Sequence, residues 1–576
     1  MKRIKSVTNR KKEVSLCMIC GLILIGFYLR NISLLKNPAI MLDEIGYWSS
    51  AAYFKGYNWS GVIGNFAAYY SYGYGFLLYL FMSMAKEPEI IHQIAICANV
   101  LMVFASFLIA VKVMDFFYPD DSFFVKIIAC FASFFYPSVQ YHTQVAWSET
   151  YLMFMFICSV YVAIKLYRNP KITTHSIFVL IIFNMYIIHM RSVGIVVVGT
   201  LYMLWIDIVH KKHIWKWGIS ILVLSVLLYG GAEIKNLLYK NVFVDTLSIP
   251  VGEVTSSVAR NTNDYAGQIW KIKYLFTLEG IYDFGISFLG KIWYFGVASF
   301  FLGFDGLVKL IGIIKHKLEA HQLHSPEIAI CIYMLASYAV TALVSTVAMI
   351  PSSRWDGVAY GRYTDFLGIL IIAIGAIHLY HKRAVSKGKE LLWYVIVSIV
   401  FLVVFWQFAQ IYKISGFFAS CSQIMLYFHE LNEETFIIIM TLSVIAVGIL
   451  IRVIMKMKVH LAWTMAIVMW SVFTRPSVEQ LIELERPNWI YPVIEYIKEN
   501  QYENIYYFYS EDGTVSENFY SGGIQYMLMD RPLYCIKDIN EIKLDNPCII
   551  VGWSPQIPDG YSVVIDFGFY RIMRED

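Results

Sequence analysis

The sequence predicts a polytopic α-helical membrane protein followed by a small α/β domain. Of its 576 residues, 58% are hydrophobic and only 15% are charged, and the mean hydropathy is +0.57. Soluble domains usually carry about a quarter charged residues. Long apolar runs recur as far as residue 473, after which shorter runs are separated by prolines. We therefore expect most of the chain to lie in lipid, with a separate domain at its C-terminal end.

Apolar runs long enough to cross a bilayer occur about thirteen times along the chain. We predict spans near 14–30, 91–114, 122–139, 148–166, 174–189, 192–209, 214–232, 284–313, 326–350, 366–380, 391–412, 435–454 and 459–473. Residues 1–12 are basic, as in a signal peptide, but no small-x-small cleavage site precedes Arg30, which predicts a retained anchor. The stretch 72–85 is apolar for only about fourteen residues, which favours an interfacial or re-entrant helix.

Basic residues in the short loops predict the orientation of the chain. If 72–85 does not span, the loops on the side of the basic N-terminus carry Lys165, Arg168, Lys171, Lys211, Lys212, Lys216, Lys315, Lys317, Lys382, Arg383, Lys387, Lys389, Arg452, Lys456 and Lys458. The positive-inside rule assigns that side to the cytoplasm. We predict a multi-pass plasma membrane protein with a cytoplasmic N-terminus and an extracytoplasmic C-terminus. The formal net charge of +4 gives no reason to expect a nucleic-acid partner.

A pair of topology reporters, each active on one side of the membrane, tests this orientation. Reporters fused after Lys212 and after Lys387 are expected to read cytoplasmic, because both positions lie in basic loops. Reporters fused after Gly61 and at the C-terminus are expected to read extracytoplasmic. An outward-facing Lys387 would overturn the assignment of the candidate residues below to the outer face.

This topology divides the chain into a transmembrane domain, 1–475, and a soluble extracytoplasmic domain, 476–576. Two long segments of the first domain, 31–90 and 233–283, are predicted to be outer loops. The soluble domain has a helical pattern at 491–500 and short apolar runs typical of strands, IYYFY (505–509), CIIVGW (548–553) and SVVIDF (562–567). The cytoplasmic loops are all short, so the working surface is expected to lie outside.

Two adjacent carboxylates, Asp43 and Glu44, begin a predicted amphipathic helix in the stretch AIMLDEIGYWSSAAYF, 39–54. In a purely structural interpretation, Asp43 caps this helix and Glu44 interacts favourably with the helix dipole. Carboxylates near a membrane are costly, however, and are usually retained for a task. Both are therefore candidate catalytic residues, and the pair is also a candidate for holding a divalent cation. The sequence indicates no other cofactor.

The chain, over most of its length, resembles the GT-C superfamily of integral membrane glycosyltransferases, in particular the branch of protein O-mannosyltransferases and the lipid A aminoarabinose transferase. The resemblance rests on the Asp43–Glu44 pair with Tyr47, interfacial helices to about residue 85, the outer carboxylate Glu149 in YPSVQYHTQVAWSETY (136–151), about thirteen spans and the outer C-terminal domain. Two features depart from the branch: YYSYGYGF (69–76) replaces a proline-rich stretch, and Glu149 stands where many relatives have Asp.

The resemblance implies an inverting glycosyltransferase that moves a sugar from a polyprenyl-phosphate carrier to an acceptor hydroxyl on the outer membrane face. Such a reaction needs a base for the hydroxyl and positive charge for the leaving phosphate. Asp43 is the predicted base, and Glu44 is expected to orient it, bind the sugar or help hold a cation. The candidate substrate-binding residues are Tyr47, His142, Glu149, Arg191 in HMRSVG, Lys291, and Arg354 and Arg362 in SSRWDGVAYGRYTD (352–365).

Besides a purely structural membrane protein, two other classes of function remain open at the level of sequence. A transporter or flippase of lipid-linked saccharides would carry charged or broken-helix sites near the bilayer midplane. A polysaccharide polymerase or ligase would share the lipid phosphate leaving group. The acceptor is a glycolipid, a wall polymer or a protein, and neither the sugar nor the carrier length follows from the sequence.

Overall fold

The computed structural model describes residues 2–38, 41–66, 71–210, 214–241, 269–351, 361–381, 442, 445–454, 459–485, 490–508, 521–542, 547–552, 556–568 and 570–576. The predicted span near 391–412, part of that near 435–454 and the candidate residue Arg354 lie outside these ranges.

Most of the predicted spans that fall in the described part of the chain coincide with a helix. The helices are α1 (Lys2–Leu29), α2 (Met41–Lys55), α3 (Ser60–Phe66), α4 (Gly73–Met82), α5 (Pro88–Phe117), α6 (Phe123–Ser133), α7 (Pro137–His142), α8 (Ser148–Arg168), α9 (Ile172–Ile188), α10 (Val193–Val209), α11 (Ile214–Tyr239), α12 (Ile269–Tyr274), α13 (Leu278–Ala298), α14 (Leu302–Glu319), α15 (Pro326–Met349), α16 (Asp365–His381), α17 (Ile445–Ile454), α18 (Val459–Glu485), α19 (Ile490–Glu499) and α20 (Ser521–Leu528).

Two predicted spans are wrong as single helices. The run 284–313 forms α13 and α14, which meet at an angle of 108°. The chain turns there because Phe300 and Phe301 adopt positive φ angles, a conformation that ends a right-handed helix. The run 122–139 stops at Ser133 and resumes at Pro137, whose missing N–H suits the first turn of a helix.

The chain is an integral membrane protein. Among the described residues, six helices are long and apolar enough to cross a bilayer, or seven if the bent pair α13 and α14 is one span. The predicted total of about thirteen stays a prediction. Large apolar side chains of α11, including Leu222, Val226 and Tyr229, are more than 60% exposed, as expected for a surface that faces lipid.

The C-terminal part of the chain forms the predicted α/β domain. Its five strands are β1 (Ile505–Phe508), β2 (Leu533–Ile536), β3 (Cys548–Gly552), β4 (Tyr561–Asp566) and β5 (Tyr570–Glu575), in the order β2-β1-β3-β5-β4. Strand β1 pairs in parallel with β2 and β3, whereas β5 is antiparallel to β3 and β4. The helix α18 runs through the predicted domain boundary at 475, and α20 packs against α2 and α3.

Candidate active site

The helix α2 carries Asp43 and Glu44 in its first turn. Its apolar residues Ile45 and Trp48 are almost fully buried, so packing fixes the position of the helix. Successive residues of a helix point about 100° apart, and the two adjacent carboxylates therefore reach different partners. Asp43 is partly buried, whereas Glu44 is fully buried.

Asp43 belongs to a buried ion cluster of two carboxylates and two guanidinium groups. Arg362 donates to Asp43 through Nη1 and to Glu149 Oε1 through Nε, the latter at 2.5 Å. Arg191 Nη2 donates to the same Glu149 oxygen at 2.9 Å. The side chains of Glu149, Arg191 and Arg362 are 1%, 4% and 8% exposed. Charges this far from water are costly unless they are paired, and here each has an opposite charge beside it.

Aromatic rings surround the two guanidinium groups. The guanidinium carbon of Arg362 lies 3.8 Å from the centre of the Trp147 ring. That of Arg191 lies 5.2 Å from the ring of Tyr363 and 5.6 Å from that of Phe366. These distances allow cation–π attraction, which is stronger where water is excluded. The arginines are therefore held as fixed positive charges in a dry site.

Glu44 contacts the segment before α8 and the ring of His92. Its Oε1 accepts a hydrogen bond from the backbone N–H of Ala146 at 2.7 Å and lies 3.4 Å from Nε2 of His92. Ala146 is in the segment that joins α7 to α8, so Glu44 anchors this segment to α2. No group of three or more His, Cys, Asp or Glu side chains in the described ranges is arranged to hold a metal ion.

Tyr47 links α2 to Glu149 through a hydroxyl chain. The Tyr47 hydroxyl donates to Ser148 Oγ at 2.8 Å, and the Ser148 hydroxyl donates to Glu149 Oε2 at 3.3 Å. Burial raises the pKa of the Tyr47 phenol, which keeps it protonated as a donor. Both oxygens of Glu149 are thus engaged, and its carboxylate is oriented from two sides.

His142 lies beside the cluster with unused hydrogen-bonding capacity. It is 4% exposed, its ring centre is 5.0 Å from that of Trp147, and neither ring nitrogen has a hydrogen-bond partner in the described part of the chain. Burial lowers the pKa of the imidazole to about 3, so it is neutral at physiological pH. A neutral imidazole offers one donor and one acceptor to a bound ligand.

The predicted substrate-binding residue Lys291 lies on α13. This buried residue donates to Ser287 Oγ of its own helix at 2.8 Å. Its helix borders the site, since a Cβ at Gly361 would lie 1.7 Å from a ring carbon of Tyr294. Only glycine therefore fits directly before Arg362.

Sequence reasoning missed several residues that contact the cluster or lie next to it. Trp147 and Ser148 stand directly before Glu149, and His92 begins a span 48 residues after Glu44. Asp365 is buried near the start of α16 and accepts a hydrogen bond from Tyr136 at 2.8 Å. Only Asp365 could have been found from the sequence, because it is the last residue of the GRYTD stretch. Nothing in the sequence indicates that Trp147, Ser148 or His92 lies near the acidic residues.

Arg191 retains donors that the cluster does not use. Its Nε and Nη1 have no hydrogen-bond partner among the described residues, although both atoms are buried. Unsatisfied buried donors are costly, and a guanidinium edge is well suited to phosphate oxygens. The cluster can therefore accept an anionic group without breaking the bond between Arg191 and Glu149.

No protein-family model and no curated protein sequence matches the chain. Among solved structures, ArnT from Cupriavidus metallidurans bound to undecaprenyl phosphate is similar with a TM-score of 0.52 and 10% identity over 97% of each chain. Its apo state gives 0.51 and 10% over 98% of each chain. An Archaeoglobus fulgidus oligosaccharyltransferase tethered to an acceptor peptide gives 0.40 and 11% over 91% of this chain and 64% of that one. This chain has the GT-C fold, as its sequence predicted.

Proposed function

We propose that the protein is an inverting glycosyltransferase that moves a sugar from a polyprenyl phosphate to an acceptor hydroxyl on the outer membrane face. The observation that carries the proposal is the contact of Asp43 with Arg362 in a buried cluster that also holds Arg191 and Glu149. A base and two fixed cations within one site are the groups that this reaction requires.

The reaction proceeds by one displacement. The acceptor oxygen attacks the anomeric carbon while its proton passes to a carboxylate oxygen of Asp43. The bond from the anomeric carbon to the phosphate oxygen breaks, and its electron pair stays on the phosphate. Attack opposite to the leaving group inverts the anomeric configuration. The leaving phosphate is a weak base and needs positive charge, not a proton.

The two arginines have separate roles in this scheme. Arg191 receives the phosphate on its unused Nε and Nη1 donors. Arg362 bridges Asp43 and Glu149, so it fixes the base relative to the phosphate site and adds a fixed positive charge as negative charge develops on the phosphate. The presence of undecaprenyl phosphate in a structure of ArnT, which has the same fold, supports a lipid phosphate as the donor class.

His142 and Tyr47 are suited to recognise the sugar. The ring nitrogens of His142, which have no hydrogen-bond partner among the described residues, can bond sugar hydroxyls beside the Trp147 ring. Tyr47 keeps Glu149 oriented through Ser148. The orientation with a cytoplasmic N-terminus and an outer C-terminal domain is part of the proposal, as is a divalent cation near Asp43 and Glu44, should the reaction require one.

One observation favours the transporter alternative. The break between α13 and α14 lies beside a buried pair in which Arg452 donates to Asp305 at 2.5 Å and to the Phe300 carbonyl at 3.2 Å. Broken helices with buried charges are typical of transport sites. This pair consists of one acid and one base whose charges balance, however, whereas the Asp43 cluster joins two guanidinium groups to a candidate base.

Mass spectrometry of surface glycolipids, polymers and glycoproteins from cells with and without this protein tests the proposed function. We expect one glycan class to lose the mass of a single sugar when the protein is absent, which names both sugar and acceptor. A polymerase or ligase would instead shorten or detach whole chains. Identical glycans in both cell types would contradict the proposal.

A further inference from the structure

The C-terminal domain inserts an aromatic side chain behind the acidic pair. Tyr526 of α20 is fully buried, and its ring centre lies 5.2 Å from that of Trp48, the residue one helical turn after Glu44. Its hydroxyl donates to the carbonyl of Pro88 at 3.0 Å, in the first turn of α5. Tyr526, which lies 438 positions from Pro88 along the chain, therefore contacts both α2, which carries Glu44, and α5.

His92 connects this aromatic junction to the acidic pair. Its ring is fully buried, with its centre 6.2 Å from that of Tyr526 and 6.4 Å from that of Trp48. Its Nε2 lies 3.4 Å from Glu44 Oε1, the oxygen that also holds the Ala146 N–H. A continuous path of contacts thus runs from Tyr526 through His92 and Glu44 to the segment that leads to Glu149.

Close approaches on both sides of Tyr526 fix the position of the C-terminal domain. A Cβ at Gly522 would lie 3.0 Å from Ile45, the residue after Glu44, and a Cβ at Gly61 would lie 2.5 Å from the backbone oxygen of Leu533 in β2. The indole N–H of Trp59 donates to the carbonyl of Met529 at 2.7 Å. Backbone contacts this tight leave little room for the domain to move relative to α2.

We infer that the C-terminal α/β domain holds the Asp43–Glu44 helix in its reactive position, with Tyr526 and His92 as positioning residues. The expected effect on kcat rests on the proposed function. The coupling between the C-terminal domain and α2 rests only on the contacts of Tyr526 and His92. Tyr526 reaches α2 through Trp48 and His92 reaches Glu44 directly, so each acts through Glu44 and α2. Displacement of a reacting group by about 1 Å can cost about a hundredfold in rate.

Tyr526→Ala is the test variant, and Tyr507→Ala in β1 is its matched control. Both remove a fully buried tyrosine ring from the same domain, but Tyr507 belongs to the sheet. Two quantities are measured on each purified protein: deuterium uptake by the peptide 41–55, and kcat and KM with polyprenyl-phosphate sugars extracted from cells that lack the protein. Tyr526→Phe keeps the ring and is the conservative rescue.

We expect Tyr526→Ala to raise deuterium uptake in 41–55 and to lower kcat about ten- to a hundredfold, with KM for the donor changed by less than about threefold. Tyr526→Phe is expected to restore most of kcat, and Tyr507→Ala to lower thermal stability without either effect. Unchanged uptake in 41–55, or a kcat loss that Tyr507→Ala reproduces, would overturn the inference.

The outcomes separate this inference from the proposed function. If the wild-type protein transfers no sugar while Tyr526→Ala still raises uptake in 41–55, the proposed function fails and the coupling stands. If Tyr526→Ala does not fold, kcat is instead compared between His92→Leu and His92→Gln. Gln keeps an N–H that can reach Glu44, so it is expected to retain activity that Leu loses; equal kcat in these two variants would overturn the inference.

Discussion

Asp43→Asn is expected to leave the protein folded and inserted and to lower the rate of sugar transfer by about a hundred- to ten-thousandfold. The amide keeps the size of the side chain and an oxygen that can accept from Arg362, so the local packing is retained. It loses the basicity that removes the acceptor proton. Transfer is measured with purified protein and lipid-linked donor, and folding by thermal unfolding in detergent.

A helix-capping role for Asp43 predicts a different result, because Asn is about as good an N-cap as Asp. Near-normal activity in Asp43→Asn would therefore favour capping. Glu44→Gln is the companion variant, since Glu44 holds the Ala146 N–H and lies near His92. A larger loss in Glu44→Gln than in Asp43→Asn would reverse the assignment of the base, and full activity in both would contradict the mechanism.

Arg362→Lys is expected to lower kcat by about a hundred- to a thousandfold, the cost of losing a donor that stabilises developing charge. Lysine keeps the positive charge, but its single ammonium cannot reproduce the two directed bonds to Asp43 and Glu149 or the contact of the guanidinium group with the Trp147 ring. The measurement is kcat per folded molecule, with the folded fraction taken from size-exclusion chromatography.

Arg452→Lys is the matched control for Arg362→Lys. Arg452 also pairs with a largely buried carboxylate, Asp305, but beside the bend between α13 and α14. Its replacement is expected to lower thermal stability and to leave kcat per folded molecule unchanged. Equal losses of transfer in the two variants would show that the effect of Arg362→Lys is general destabilisation. A loss of sugar transfer in Arg452→Lys that Arg362→Lys does not show would favour a transport site at the bend between α13 and α14.

Most spans were predictable because lipid imposes a simple rule: every backbone polar group must be satisfied inside a long apolar helix. The break between α13 and α14 at Phe300 and Phe301 was not predictable, because two aromatic residues in an apolar run do not indicate positive φ angles. The start of α7 at Pro137 was in principle visible, because proline favours the first turn of a helix.

The candidate site was predictable residue by residue but not as a set of contacts. The resemblance to the GT-C superfamily pointed to Asp43 and Glu149, and the predicted location at outer helix ends pointed to Arg191 and Arg362. Their pairing depends on packing, since Arg362 lies 213 positions from Glu149 and 319 from Asp43 along the chain. The different surroundings of Asp43 and Glu44 follow from helix geometry, but the identity of those surroundings required the structure.

Release of polyprenyl phosphate tests the central claim most directly. Purified protein is added to detergent-solubilised membranes from cells that lack it, which contain the donor and the membrane-bound acceptors, and free polyprenyl phosphate is measured by mass spectrometry. The account predicts that wild-type protein releases polyprenyl phosphate in step with sugar incorporation, whereas Asp43→Asn releases almost none. A known lipid-phosphate-dependent transferase, added to the same membranes, is the positive control and consumes the lipid-linked sugars. The account would be contradicted if these sugars stayed intact when the wild-type protein is added instead.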